Sequence, residues 1–184
     1  PYLRAEPERV AVWRDRLSGP GFKIGVSWQG SMIKTGVGRS FPLLALQEVA
    51  AIPGVRLISL QQGAGVEQLH SLPVGMRIEV LGDSFDAGPD AFVDTAAVME
   101  CLDLVVTCDT SIAHVAGALG RPTWVVLKRV PDWRWMLDGG ANPWYPTIEA
   151  FRQTVNGQWD DVFDRIGREL RNRVPPVRTA AGNS

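Results

Sequence analysis

The stretch LDLVVTCDTSIAHVAGALGRPTWVVL, running from Leu102 to Leu127, decides the fold. An apolar run (Leu104 to Val106) leads into the polar turn Asp109, Thr110 and Ser111. Ile112, Val115, Ala116 and Leu119 then repeat at helical spacing. Gly120 stops that helix, Pro122 follows, and a second apolar run covers Thr123 to Leu127. Strand, polar turn, helix, glycine stop and strand make a βαβ unit, the building block of parallel sheets. Its polar residues gather where the first strand gives way to the helix, the place where open α/β sheets bind ligands.

Toward the N terminus, FKIGVSW (from Phe22), VRLISL (Val55 to Leu60) and MRIEVL (Met76 to Leu81) read as three further strands. Leu43, Leu44, Leu46, Val49 and Ala50 predict a helix after Pro42, stopped by Pro53 and Gly54. A short helix is expected from Val66 to Leu72, and Asp94 is expected to cap a helix through Ala96, Val98, Met99 and Leu102. Pro7 suits a first helical turn, with Val10, Trp13 and Leu17 on one face. Toward the C terminus, TIEAFRQ reads as a last, short edge strand. Trp159, Val162, Phe163, Ile166 and Leu170 form the stripe of a final helix. The order predicts five or six strands separated by helices, an α/β fold with a Rossmann-like, doubly wound parallel sheet. Residues 1–20 are expected to be a leading helix or linker, 21–171 the Rossmann-like domain and 172–184 a disordered tail.

With 184 residues, 45% apolar and 21% charged, the chain has the makings of one domain with a proper core. A net charge of -1 argues against an electrostatic grip on nucleic acid or on an anionic membrane. No apolar run reaches the roughly 18 residues of a transmembrane segment, and no signal peptide is visible. Cys101 and Cys108 lie in or beside apolar segments without metal-ligand spacing, so both read as small buried hydrophobes, and a cytoplasmic setting is expected. The start at Pro1, without Met, suggests a piece of a longer protein.

A helix beginning at Thr110 leaves the amides of Thr110, Ser111 and Ile112 without intrahelical acceptors. The macrodipole favours an anion there by about 0.3–1 kcal/mol. His114, one turn in, is placed to donate to a phosphate oxygen, so the turn is in principle a phosphate cradle. The structural alternative is that Asp109 caps the helix, Thr110 and Ser111 are ordinary first-turn residues, and His114 is a satisfied, half-buried histidine. The loop after the first strand, QGSMIKTGVGRS, adds Lys34 and Arg39 with the hydroxyls of Ser31, Thr35 and Ser40 near the same sheet edge. Such a loop is suited to closing over a diphosphate, or is a solvated surface loop. Its glycines match neither G-x-G-x-x-G nor G-x-x-x-x-G-K-[ST], which sets aside a dinucleotide dehydrogenase or a P-loop ATPase. Of seven tryptophans, five fall between Trp124 and Trp159. Those of the loop around Trp133, Trp135 and Trp144 read first as its anchors, and second as a platform for a base or sugar. Two histidines, His70 and His114, support neither a Ser-His-Asp constellation nor a metal site.

CDTSIAHVAGALGRPTW resembles the D-[ST]-[GS]-x-x-H-[ILV]-A-x-A-x-x-[KR]-P motif of family 9 glycosyltransferases, which include the lipopolysaccharide heptosyltransferases. The matching residues are Asp109, Thr110, Ser111, His114, Val115, Ala116, Ala118, Arg121 and Pro122. KIGVSWQGS and RSFPL resemble the first strand and phosphate loop of that family's C-terminal half, with Arg39 three places before Pro42. SWQG, ISLQQG, DWRWML and PWYPTIEAFRQ resemble a bacterial group in which this domain ends a tetratricopeptide-repeat protein. The resemblance covers most of residues 23 to 170. It implies the C-terminal, nucleotide-sugar-binding half of a GT-B fold. Thr110, Ser111 and His114 would hold the diphosphate and Arg39 would neutralise it. Asp109 would lie at the donor sugar or phosphate, Gln61 or Gln62 near the nucleoside, and Gln29 in the same donor site. No metal or other cofactor is implied. Heptosyltransferases usually carry glycine where Ser111 stands, a departure that narrows the approach of backbone to phosphate.

The leading expectation is thus the donor-binding domain of a glycosyltransferase that transfers a sugar to a glycan, lipid or protein acceptor. The catalytic base is expected in a missing N-terminal half, and the isolated chain is expected to be inactive. The alternative is a non-catalytic scaffold or carbohydrate-binding module of a repeat protein, in which the aromatic loop makes the contacts. A third reading is half of a sugar-nucleotide epimerase, since those enzymes share the fold.

Overall fold

A computed structural model of the chain describes residues 1–30, 38–136 and 142–176. The chain forms α1 (Pro7–Arg16), β1 (Phe22–Ser27), a 3-10 turn (Leu43–Leu46) running into α2 (Gln47–Ala50), and β2 (Val55–Ser59). A second 3-10 segment (Val66–Ser71) precedes α3 (Val93–Met99), β3 (Leu104–Cys108), α4 (Ser111–Ala118) and β4 (Thr123–Leu127). A third (Trp133–Trp135) leads to β5 (Ile148–Arg152) and α5 (Asp160–Arg173). The five strands make one parallel sheet in the order β2-β1-β3-β4-β5, with Ile24 opposite Leu104 and Val105 opposite Thr123. The fold is therefore α/β and Rossmann-like. Connections leave β1 and β3 in opposite directions, so the crevice above their carboxyl ends is the topological switch point of the sheet.

β3 and β4 are buried at every position, which is why they read as continuous apolar runs. Alternate residues serve different layers. Leu104, Val106 and Cys108 pack with Val49 of α2 and with Val162 and Ile166 of α5. Val105 packs with Val10 and Trp13 of α1, Met99 of α3 and Ala116 of α4. Helix α4 ends as its glycine predicts: Gly120 takes φ +71°, its amide donates to Gly117 O at 3.0 Å, and the Arg121 amide donates to Ala116 O at 2.9 Å. That is a Schellman motif, which satisfies two of the last carbonyls. Arg121 itself faces away from the crevice, donating to Leu102 O at 2.7 Å and pairing with Glu100 at 3.3 Å. Cys108 is buried and free, its thiol pushed up to about 12 by burial, and Cys101 is free and half-buried. Among the described residues no helix is long and apolar enough to cross a membrane.

Two expectations are corrected. Met76 to Leu81 is not a strand: it meets the sheet through a single bridge, Ile58 to Glu79, where Ser59 N donates to Glu79 O and Glu79 N to Leu57 O, both at 2.8 Å. The segment lies along the exposed side of β2, where Arg77 and Val80 face solvent and only Met76 and Leu81 are buried. Burial on one side of so short a stretch does not hold a full ladder. Asp94, in turn, is not the cap of α3. It lies inside the first turn, where its carboxylate accepts from Trp13 Nε1 and Arg9 Nη1 of α1, each at 3.0 Å. The capping acceptor is Asp86, at φ +49°, which receives Asp94 N at 2.8 Å, Thr95 N at 3.2 Å and the Thr95 hydroxyl. At the other end, α5 continues to Arg173, two residues into the expected tail; residues 177–184 lie outside the described residues.

Candidate functional site

The switch-point crevice is a cavity of 760 Å³ bounded by the ends of β1, β2 and β3, the start of α4 and Arg134. At its centre β3 gives way to Asp109 and Thr110. Thr110 is the N-cap of α4 in extended conformation, and no side chain caps the helix there. The first-turn amides of Ser111 and Ile112, without acceptors inside the helix, therefore open onto the crevice. The Thr110 hydroxyl lies 3.3 Å from that of Thr107.

Arg39 reaches this corner from the loop after β1. Its Nε is 3.5 Å from Asp109 Oδ2 and its Nη2 is 3.9 Å from Asp132 Oδ2. Asp109 is 6% exposed, yet neither its Oδ2 nor Arg39 Nε has a hydrogen-bond partner among the described residues. A buried carboxylate and guanidinium normally satisfy each other with aligned hydrogen bonds. Here they face one another with bonding capacity in hand. Arg134 pairs with the other side of Asp132 at 3.1 Å. Two guanidiniums thus balance two carboxylates, and the helix terminus adds partial positive charge equivalent to roughly half an elementary charge. An anion at this corner would meet that positive end, while Asp86, on the same cavity's wall, is turned to the first-turn amides of α3.

His114 sits one turn into α4. Its ring stacks on buried Trp135, with centroids 5.5 Å apart and planes at 22°, and its Nδ1 lies 3.3 Å from the Tyr145 hydroxyl. Burial first, and then the charge of Arg134, hold its pKa below the ordinary histidine value, so the ring is neutral at pH 7. Gly117 makes that packing possible: a Cβ there would stand 2.5 Å from the Tyr145 ring.

The seven residues expected at the donor site, Gln29, Arg39, Gln61, Asp109, Thr110, Ser111 and His114, all line this one cavity. Their roles differ. Gln61 is a staple: its Oε1 accepts from Ser27 Oγ, Trp28 N and Gln29 N at 3.0–3.1 Å, while its Nε2 donates to the carbonyls of Gln29 and Ala64. A side chain so fully engaged fixes the β1 and β2 loops against each other and is not free to bind a nucleoside. Gln29 keeps a half-buried amide at the rim, its Oε1 accepting from Gln68. Ser40 anchors the loop by accepting from Gly30 N at 3.2 Å. Lys34, Ser31 and Thr35 lie outside the described residues.

Sequence reasoning missed three contributors. Arg134 lay hidden in a motif read as aromatic. Phe92 holds φ +67° just before α3 and is 39% exposed on the cavity wall, and Asp86 caps that same helix. The aromatic loop is divided in role: Trp135 is buried as an anchor, whereas Trp133 and Trp144 are exposed. Among the described residues no group of three or more His, Cys, Asp or Glu is placed to hold a metal ion.

Comparison with known proteins agrees with this architecture. Residues 55–130 match the family model of glycosyltransferase family 9 (heptosyltransferase). Protein FlbA of Caulobacter vibrioides is 29% identical over an alignment of 175 residues that covers 93% of this chain and 29% of that protein. The structure of E. coli ADP-heptose LPS heptosyltransferase II superposes with a TM-score of 0.64 at 19% identity, over 94% of this chain and 53% of that one. E. coli heptosyltransferase WaaC with ADP-2-deoxy-2-fluoro heptose gives 0.58 at 18% identity, over 88% and 47%. A family 9 glycosyl transferase from Veillonella parvula gives 0.57 at 13%, over 92% and 45%. The chain spans about half the length of these solved structures and under a third of Protein FlbA. The five-stranded parallel sheet with its flanking helices has the fold of the heptosyltransferase structures, and the match to the family 9 model covers β2 to β4 with the Asp109 corner.

Proposed function

We propose that this chain is the donor-binding part of a glycosyltransferase and that the α4 corner holds the diphosphate of a nucleotide sugar. The amides of Ser111 and Ile112 and the Thr110 and Ser111 hydroxyls donate to phosphate oxygens from one side. Arg39 donates from the other, and His114 contributes a ring N–H. As the sugar–phosphate bond breaks, negative charge grows on the leaving diphosphate. Donors already fixed around it stabilise that charge without having to reorganise. The acceptor, a glycan, lipid or protein, and the base that activates it are supplied from outside these residues, so this chain alone binds donor and transfers nothing.

The observation that carries the reading is the half-satisfied pair Arg39–Asp109, its facing Nε and Oδ2 atoms buried in front of an uncapped helix N-terminus. The family 9 match across residues 55–130, which includes this corner, supports it. Calorimetry with ADP, UDP and GDP tests it. Binding of at least one nucleotide is expected, weakened in both Arg39→Ala and His114→Ala. No binding at millimolar nucleotide, or binding that neither variant alters, refutes it.

A second reading, a non-catalytic carbohydrate-binding or scaffold module, is favoured by the exposure of Trp133 and Trp144. It predicts glycan or partner binding that depends on those two residues in a chain indifferent to nucleotides.

A further inference from the structure

Four large aromatic side chains are exposed among the described residues: Tyr2 (68%), Phe92 (39%), Trp133 (73%) and Trp144 (51%). Phe92 lines the switch-point cavity. The other three frame a second cavity of 500 Å³, floored by Trp135, which shares His114 and Arg134 with the first. Large rings gain much from burial, so a cluster left facing water beside a binding crevice marks a recognition surface.

The two exposed indoles make none of the bonds that hold the described residues of this loop. Asn142 Oδ1 accepts from the amides of Trp144 at 2.9 Å and Tyr145 at 3.0 Å, and its Nδ2 donates to Arg134 O. The Tyr2 hydroxyl donates to Trp144 O, and Tyr145 is seated against Gly117. The exposed faces are therefore backed by hydrogen bonds and packing. Beneath them Trp135 is 4% exposed and serves as packing, while Arg134 on the same wall keeps a partly exposed guanidinium.

We propose that this shelf is a subsite for a pyranose ring, with one C–H face stacked on an exposed indole and a ring hydroxyl accepting from the Arg134 guanidinium. The axial hydrogens of a pyranose form an apolar, slightly positive face that suits the negative face of an indole. Arg134 only donates hydrogen bonds, which suits the hydroxyl oxygens at the ring's edge. The inference rests on the phosphate reading of the neighbouring corner for its position. A ring on the shelf lies next to His114 and Arg134, where a glycosyl group linked to that phosphate, or an acceptor sugar approaching it, would be.

Saturation-transfer NMR and tryptophan fluorescence on this chain test the proposal in two arms. The first compares UDP with UDP-glucose, ADP with ADP-glucose, and GDP with GDP-mannose. The second uses free maltotetraose and chitotetraose. Saturation transfer to ring protons is expected in at least one arm, with sugar-dependent affinity falling about two- to tenfold in whichever of Trp133→Ala and Trp144→Ala removes the stacked indole, and unchanged sugar affinity in both variants overturns the proposal. A response in the first arm assigns the shelf to the donor sugar, and one in the second assigns it to an acceptor sugar. Affinity for the bare nucleotide should not change in either variant, whereas Arg39→Ala should weaken it. Loss of bare-nucleotide affinity in the tryptophan variants would place a base on the shelf and overturn the proposal. So would a lack of sugar contact in both arms while nucleotide still binds. If nucleotide binding fails while an oligosaccharide still contacts the indoles, the phosphate reading falls and the sugar shelf stands.

Discussion

Replacing Gly117 by alanine sets two effects of opposite sign against each other. In an exposed helix the change stabilises by about 1 kcal/mol, because alanine loses less backbone freedom on folding. Here the added Cβ would lie 2.5 and 2.6 Å from Cγ and Cδ1 of Tyr145 and 2.9 Å from Cδ1 of Ile148. All three distances are shorter than carbon atoms tolerate. Ile148 is buried on β5, so its side chain has little room to give, and the Tyr145 ring must move outward. Overpacking of this kind costs about 1–3 kcal/mol. The clash therefore matches or outweighs the propensity gain, leaving a net loss of up to about 2 kcal/mol. For a chain of this size that is a fall in melting temperature of up to roughly 8 °C. The displaced ring also gives up its contact with His114. The variant should melt earlier by circular dichroism and alter the tryptophan emission of the aromatic loop, while nucleotide affinity by calorimetry falls by less than in Arg39→Ala. A melting temperature raised by a few degrees would show that α4 and the loop are not in close contact, and the account of how the second cavity is built would fail.

Arg39→Ala should lower nucleotide affinity by about 10- to 100-fold, the value of a charge-assisted hydrogen bond, and Arg39→Lys should recover only part of it. Calorimetry decides, with circular dichroism checking that the fold persists. Because the free His114 ring has a lowered pKa and a bound phosphate would raise it, donor binding should take up a proton. Affinity for UDP-glucose, whose diphosphate does not titrate in this range, should then rise as pH falls from about 7.5 to 5.5, and His114→Gln should flatten the profile. A flat wild-type profile would mean that His114 does not face the anion. In the absence of ligand the same lowered pKa makes stability fall as pH drops below about 6.5, since the unfolded chain protonates first. Thermal melts of wild type and His114→Gln across that range measure it. Asp86→Ala removes the acceptor for two first-turn amides of α3 and should cost about 1–2 kcal/mol in urea unfolding, with Asp86→Asn retaining most of the stability. Equal losses in the two variants would show that its charge, and not its capping geometry, is what matters.

The βαβ core was legible because its signals are local and agree with one another: buried strands appear as unbroken apolar runs, and Gly120 with Pro122 punctuates the helix. The convergence of the β1, β2 and β3 turns followed from strand polarity alone, which is why Gln29, Arg39, Gln61 and the Asp109 corner share one cavity. What stayed hidden depends on partners distant in sequence. Whether Met76 to Leu81 becomes a strand is decided by a neighbour on only one side, not by its own alternation. Asp94 has the right residue type and place for a cap, but Trp13 and Arg9 claim its carboxylate from α1. Gln61 looks like a ligand contact in sequence, and only the folded loops reveal that its amide is fully engaged. The division among the tryptophans has the same origin: Trp133 and Trp135 are two residues apart, and the register of one short 3-10 turn sends one to solvent and the other under His114.

The placement of β1 beside β3 also governs the order in which the molecule can assemble. Lys23 and Asp103, which are bonded across the base of that strand pair, stand 80 residues apart in the chain. A loop of that length must close, at an entropic cost that local contacts do not offset, before Arg39 and Asp109 can meet. Parallel pairings of this kind are slow to nucleate. The crevice should therefore mature late in refolding, after the βαβ unit from β3 to β4 has formed.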